Sequence, residues 1–158
     1  MRGDPTVVRL LNEQLTHELT AVNQYFLHAR MQHNYGWSKL AARTYQESVT
    51  EMKHAQAITD RILFLEGVPD LGRLGTLRIG ATAREMLEAD AEIEREAIEK
   101  LRSAIDHVRT VGDATTATLF EVLLASEEEH LDHLETQLSL HDRLGEALYL
   151  SHLVDPPE

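Results

Sequence analysis

The sequence predicts an all-α protein: four long amphipathic helices in an up-down-down-up bundle, with one long crossover and a short fifth helix near the C-terminus. Three observations carry this. Apolar residues recur at helical spacing through four stretches of roughly 25–30 residues. The helix breakers are few, 8 Gly and 4 Pro in 158 residues, and most of them gather between those stretches. Two of the resulting connections are short and one is about 14 residues long, the pattern of a bundle with a single crossover.

Asp4 before Pro5 reads as an N-cap with proline at the first helical position, and Val8, Leu11, Leu15, Val22, Tyr25 and Ala29 then mark one face to about Asn34. A second helix starts near Ser38, carries Leu40, Ala41, Val49, Ala55, Ile58, Ile62 and Leu65, and is expected to end at Gly67. Residues 68–81 form the crossover. A third helix runs from about Thr82 to Thr110 with Met86, Leu87, Ala91, Ile98, Leu101 and Ile105 on one face. The fourth, from Asp113 to about Leu144, shows Phe120, Leu123, Leu124, Leu131, Leu134 and Leu138. After Gly145 a short helix is expected over about 146–154, with Pro156 and Pro157 as a stop. The chain thus predicts one domain over 1–158, its bundle spanning about 4–144.

Composition narrows the chemistry. There is no cysteine, so disulfides, thiolate-bound zinc, iron–sulfur clusters on this chain and a thiol nucleophile are all excluded. Any metal must be held by carboxylates and imidazoles. The net charge of −12, from 15 basic and 27 acidic residues, argues against nucleic acid as a partner. No apolar leader or membrane span is legible, which predicts a cytoplasmic location.

Two copies of one phrase, Glu51-x-x-His54 and Glu127-x-x-His130, stand 76 positions apart. On a helix, residues three apart lie about 60° around the axis and about 4.5 Å along it, so each pair can grip one ion. Glu18 interrupts the apolar stripe of the first helix and Glu94 that of the third. A lone inward carboxylate usually reaches water at the edge of its stripe; four in one small bundle need compensation, because an unpaired buried carboxylate is held only at a cost of several kcal/mol. Two divalent cations balance four carboxylates, and two neutral imidazoles complete the ligand set. Oxygen-rich ligation with one imidazole per ion suits iron or manganese. Two bridged ions about 3.5–4 Å apart can act together on one dioxygen or peroxide.

The segments Leu19-Thr20-Ala21-Val22-Asn23-Gln24-Tyr25-Phe26-Leu27-His28-Ala29-Arg30-Met31, Glu51-Met52-Lys53-His54-Ala55, Arg61 to Pro69, Glu127 to His130 and Leu134 to Leu138 resemble bacterioferritin, over essentially the whole chain to about residue 150. The resemblance implies a ferritin-like fold and a hollow homo-oligomeric shell of 24 subunits. Such a shell is a ferroxidase: it oxidises Fe(II) and stores the ferric mineral inside. Residue by residue, it implies that Glu18 and His54 hold one iron, Glu94 and His130 the other, and that Glu51 and Glu127 bridge them. Tyr25 matches a tyrosine near the family's di-iron centre that can supply an electron. Asp90, one turn before Glu94, is a candidate to orient an imidazole.

Met52 is rotated about 160° from His54 and so points out of the bundle. The resemblance makes it the axial ligand of haem b, one haem per subunit pair with one Met52 from each, served by a bacterioferritin-associated [2Fe-2S] ferredoxin that delivers electrons for iron release. The chain departs from some members at Gln46 and Thr50, where a His and an Asp bind an extra inner-wall iron. That leaves Glu47 alone and points to iron passing through the centre with His130 as a gate. The alternative readings are a haem-free ferritin or a di-iron oxidase or peroxidase without storage. The rubrerythrin kind commonly adds a cysteine-rich module, and the DNA-protecting mini-ferritins place their metal between subunits.

Overall fold

The computed structural model describes residues 1–155 and is helical throughout, with α1 (Pro5–Asn34), α2 (Ser38–Phe64), α3 (Ala83–Thr110), α4 (Ala114–Leu144) and a short α5 (Glu146–Ser151). Pro156 and Pro157, expected to stop the chain's last helix, lie outside the described residues. Helices of this length extend about 42 Å. Their starts follow from local chemistry. Asp4 accepts hydrogen bonds from the amides of Thr6 at 2.8 Å and Val7 at 3.2 Å, ahead of Pro5. Thr82 and Glu85 form a reciprocal capping box at the head of α3.

The α2 terminus differs from expectation. The helix ends at Phe64, and the residue that adopts the left-handed conformation is Glu66, at φ 60°. Gly67 is required for a different reason. A Cβ there would meet Val8 Cγ1 at 2.7 Å and Ile62 Cγ2 at 2.9 Å, so its bare backbone lets the chain turn closely over α1. The fifth helix is also shorter than the expected 146–154. Beyond it, the chain returns to the start of α2, where the Lys39 amide donates to the Leu153 carbonyl at 2.9 Å.

Short turns join α1 to α2 and α3 to α4, giving two antiparallel hairpins that pack on each other through α1 against α3 and α2 against α4. The crossover, residues 65–82, must travel the length of the bundle to leave α3 parallel to α2. It does so pinned to α1. Asn12 Oδ1 accepts from the Asp70 amide at 2.8 Å, Thr20 Oγ1 from Gly75 at 2.9 Å, Gln24 Oε1 from Arg78 at 3.0 Å and His28 Nε2 from Gly80 at 3.0 Å. The four side chains follow one another at multiples of four residues, a row that winds slowly around α1 as it rises.

The buried apolar residues fall into separate groups. One fills an end of the bundle with Val7, Leu11, Leu15, Ile58, Ile62, Leu101, Val108 and Phe120; another fills the opposite end with Leu40, Leu87, Ala91, Leu134, Leu138 and Tyr149. Each helix must therefore cross a middle zone between the two. That zone is polar. No helix among the described residues is long and apolar enough to cross a membrane.

Candidate metal centre

The middle zone is where the inward-facing acids meet. Glu18 follows Leu15 on α1, Glu51 precedes Ala55 on α2, Glu94 lies between Ala91 and Leu101 on α3, and Glu127 lies between Leu123 and Leu134 on α4. Each of these glutamates is 1% exposed. Glu18, Glu51, His54 and Glu127 bring one ligand atom apiece within 4.8 Å of one another; so do Glu51, Glu94, Glu127 and His130. Glu51 and Glu127 belong to both groups. That is the arrangement of two adjacent ion sites with two shared carboxylates between them.

The contacts are close. His54 Nδ1 lies 2.9 Å from Glu127 Oε1, 3.1 Å from Glu51 Oε2 and 3.5 Å from Glu18 Oε2. His130 Nδ1 lies 2.9 Å from Glu94 Oε1 and 3.6 Å from Glu47 Oε2. Two buried oxygens of the cluster, Glu94 Oε2 and Glu127 Oε1, have no hydrogen-bond partner among the described residues; the latter is near His54 but outside hydrogen-bonding geometry. Such oxygens carry a desolvation penalty that a bound cation removes. The donor set, hard oxygens with one imidazole nitrogen on each side, fits iron.

Electrostatics point the same way. Burial raises Glu51 and Glu127 well above the carboxylate range, and the charges of the neighbouring glutamates push further. Burial also lifts Glu94 to about 7. For Glu18 burial is outweighed by hydrogen bonds with Glu51, His54 and Gln14, which hold it below its ordinary value. Burial lowers His54, but the Glu127 and Glu18 carboxylates carry it up to about 10. His130 is kept below its ordinary value by burial. Without metal, the cluster holds protons in place of cations.

A model of the ferritin-like domain family matches residues 8–144. The bacterioferritin of Mycolicibacterium paratuberculosis is 58% identical over 157 residues, covering 99% of each chain. The chain belongs to the bacterioferritin family. A bacterioferritin of Streptomyces coelicolor is 54% identical over 98% of this chain and 93% of its own length. The solved bacterioferritin of Mycobacterium tuberculosis superposes with a TM-score of 0.97 at 56% identity over 98% of both chains. The ferritin-like all-α fold is therefore established, and family membership supports iron storage.

Within this bacterioferritin fold the other predicted residues take distinct places. Tyr25 is fully buried, donates its hydroxyl hydrogen to Glu94 Oε1 and stands edge-on to the His130 ring at 5.2 Å. Met52 is 51% exposed, on an outer stripe of α2 with Val49 and Tyr45 one and two turns before it. Asp90 is buried and does orient an imidazole, but of a different histidine. It accepts from His28 Nδ1 at 2.8 Å and from Gln24 Nε2 at 2.9 Å, and bonds neither His54 nor His130. Because His28 Nε2 accepts from Gly80, its hydrogen must sit on Nδ1, facing Asp90.

Sequence reasoning missed the polar partners on α1: Gln14, His17, Gln24, His28 and Gln32 are all buried. Their one legible signal is register. Gln14 precedes Glu18 by one turn, and Gln24 and His28 follow Thr20 at intervals of four.

Proposed function

We propose that this chain oxidises Fe(II) at an intrachain two-metal centre and stores the ferric product inside a 24-subunit homo-oligomeric shell. The pair of four-ligand groups sharing Glu51 and Glu127 carries this reading. Fe(II) is the substrate. One ion binds Glu18 and His54, the other Glu94 and His130, with Glu51 and Glu127 bridging; each Fe(II) gives one electron to the oxidant. The four carboxylates match the charge of two divalent ions, and after oxidation they favour the more highly charged product. Tyr25, bonded to Glu94, is placed to contribute a further electron. Glu47 stands behind His130 and supports inward passage of oxidised iron as His130 swings aside.

The exposed thioether of Met52, beside Tyr45 and Val49, would hold haem b together with the Met52 of a second copy. Haem supplies a one-electron path to the shell, which a [2Fe-2S] ferredoxin would feed for iron release. Met52 itself has the geometry to present sulfur outward from the metal face.

The test combines native mass, haem content and Fe(II) oxidation. The assembled particle should have 24 times the 17.9 kDa subunit mass. Glu18→Ala and Glu94→Ala should each slow Fe(II) oxidation by more than the roughly 10–100-fold that loss of an outer-sphere partner brings, while the particle stays assembled. Met52→Leu should lose the Soret band and keep Fe(II) oxidation. Oxidation at the unaltered rate in both glutamate variants would overturn the centre; a retained Soret band would overturn the haem ligand.

A further inference from the structure

Each terminal carboxylate of the centre accepts a hydrogen bond from a neutral side chain of α1. For Glu94 it is the Tyr25 hydroxyl. For Glu18 it is Gln14, one turn earlier on the same helix, whose Nε2 donates to Oε1 at 2.7 Å from a position only 3% exposed. The two oxygens of Glu18 are thereby divided. Oε1 is held by Gln14, while Oε2 turns toward His54 Nδ1.

Gln14 has a second neighbour. It lines a cleft of about 530 Å³ between α1 and α3, together with Leu10, Glu13, Thr16 and Lys100. The carboxamide thus stands between the cleft and the Glu18 carboxylate. An oxygen occupied by a neutral donor is a poorer metal ligand, so the bond favours attachment of Glu18 through its other oxygen. It also stabilises the ionised carboxylate in a buried place.

We propose that Gln14 is a positioning residue of the metal centre, which fixes Glu18 as a single-oxygen ligand of the ion shared with His54 and closes that carboxylate off from the α1–α3 cleft. This rests on the reading of Glu18 as a metal ligand. It has a consequence that simple space-filling does not share. Replacing Gln14 by Leu removes the donor and keeps water out, leaving Oε1 buried and unpaired. Replacing it by Ala opens the cleft to Oε1, where water can take the donor's place. The Leu variant should therefore be the worse metal binder, although Ala leaves the larger void.

The experiment is anaerobic titration of the assembled, metal-free protein with Co(II), followed by its d–d absorbance, with Fe(II) oxidation measured alongside. Gln14→Leu should weaken binding of one of the two ions by about 10–100-fold and alter the Co(II) spectrum. Gln14→Ala should weaken it by less, and Glu18→Ala should abolish that ion. If Glu18→Ala loses the ion while Gln14→Leu binds both with unaltered affinity and spectrum, the positioning role is overturned and the centre stands. If Glu18→Ala itself binds both ions normally, the ligand reading falls. A greater loss in Gln14→Ala than in Gln14→Leu would assign Gln14 to packing alone and also overturn the proposal. Should Gln14→Leu fail to assemble, unaltered affinity and spectrum in Gln14→Ala would do the same.

Discussion

Tyr25 and Glu94 are joined by a hydrogen bond that crosses from α1 to α3 with no access to solvent. Burial, and after it the Glu94 charge, hold the Tyr25 phenol well above its ordinary value, so it remains a donor at any working pH. Tyr25→Phe removes that donor and little else. Its loss is worth about 1–1.5 kcal/mol, or about tenfold in rate if the bond matters most during oxidation. Stopped-flow Fe(II) oxidation should show that slowing, and the tyrosyl electron-spin signal expected from Tyr25 during turnover should vanish. An unaltered signal would place the electron donor elsewhere.

Metal loading should release protons. Burial raises Glu51 and Glu127 well above the ordinary carboxylate value, Glu94 is pushed up to about 7, and the neighbouring carboxylates carry His54 up to about 10. All must give up their protons to coordinate. Calorimetric titration with Co(II) at pH 6.5, in buffers of different ionisation enthalpy, should report more than one proton released per subunit. The metal-free protein should respond to pH as well. His54 has a folded value above its unfolded 6.5, so its contribution to stability is complete below about 6.5 and lost as pH rises toward about 10. Thermal denaturation of metal-free protein should show a falling midpoint across that window; a flat profile would contradict the assignment.

At the far end of the bundle Arg61 Nη2 donates to Asp113 Oδ1 at 2.8 Å, and Arg61 Nε to Thr116 Oγ1 at 2.8 Å. Asp113 also caps α4 by accepting from the Thr116 amide at 3.0 Å. Burial raises the Asp113 carboxyl, but the Thr116 bonds and the Arg61 charge outweigh it and leave the value below 3.8. Asp113→Ala should cost roughly 1–3 kcal/mol, from a lost cap and a half-buried guanidinium without its partner. The folded value lies below the unfolded one, so this contribution is present above about pH 4 and disappears as pH falls through the folded value. The difference in thermal midpoint between Asp113→Ala and the unaltered protein should be full at pH 6 and shrink near pH 2–3.

The helices and the inward glutamates were legible because both follow from periodicity. Glu18 falls four residues before Val22 and seven before Tyr25, and only a helix makes that an inward position. The outward direction of Met52 came from the same arithmetic. What periodicity could not supply was the partner of a polar residue on another element. His28 and Asp90 are 62 positions apart, and nothing local to either announces the other. Asp90 was accordingly expected beside an imidazole of the centre, whereas His28 on α1 claims it. Gln14 is not legible because glutamine normally marks a solvated face, whereas here it is buried and bonded to Glu18. The end of α2 was misplaced because glycine usually signals a left-handed residue, and here Glu66 takes that conformation while Gly67 serves close packing.

The ladder of Asn12, Thr20, Gln24 and His28 gives the crossover a fixed gauge. From Asn12 to His28 the helix rises about 24 Å, and the crossover must cover that distance between Asp70 and Gly80 with each bonded amide opposite its rung. A one-residue insertion between two rungs would bulge outward or put later amides out of step, and a deletion would leave the strand too taut to reach. Gly80 tightens the tolerance further, since a side chain there would run into the backbone of Met86 at the head of α3. Ordinary surface loops absorb changes of length; this one is cut to measure by the helix beneath it. Engineers seeking a place to graft a peptide onto this protein should therefore avoid the longest loop among the described residues.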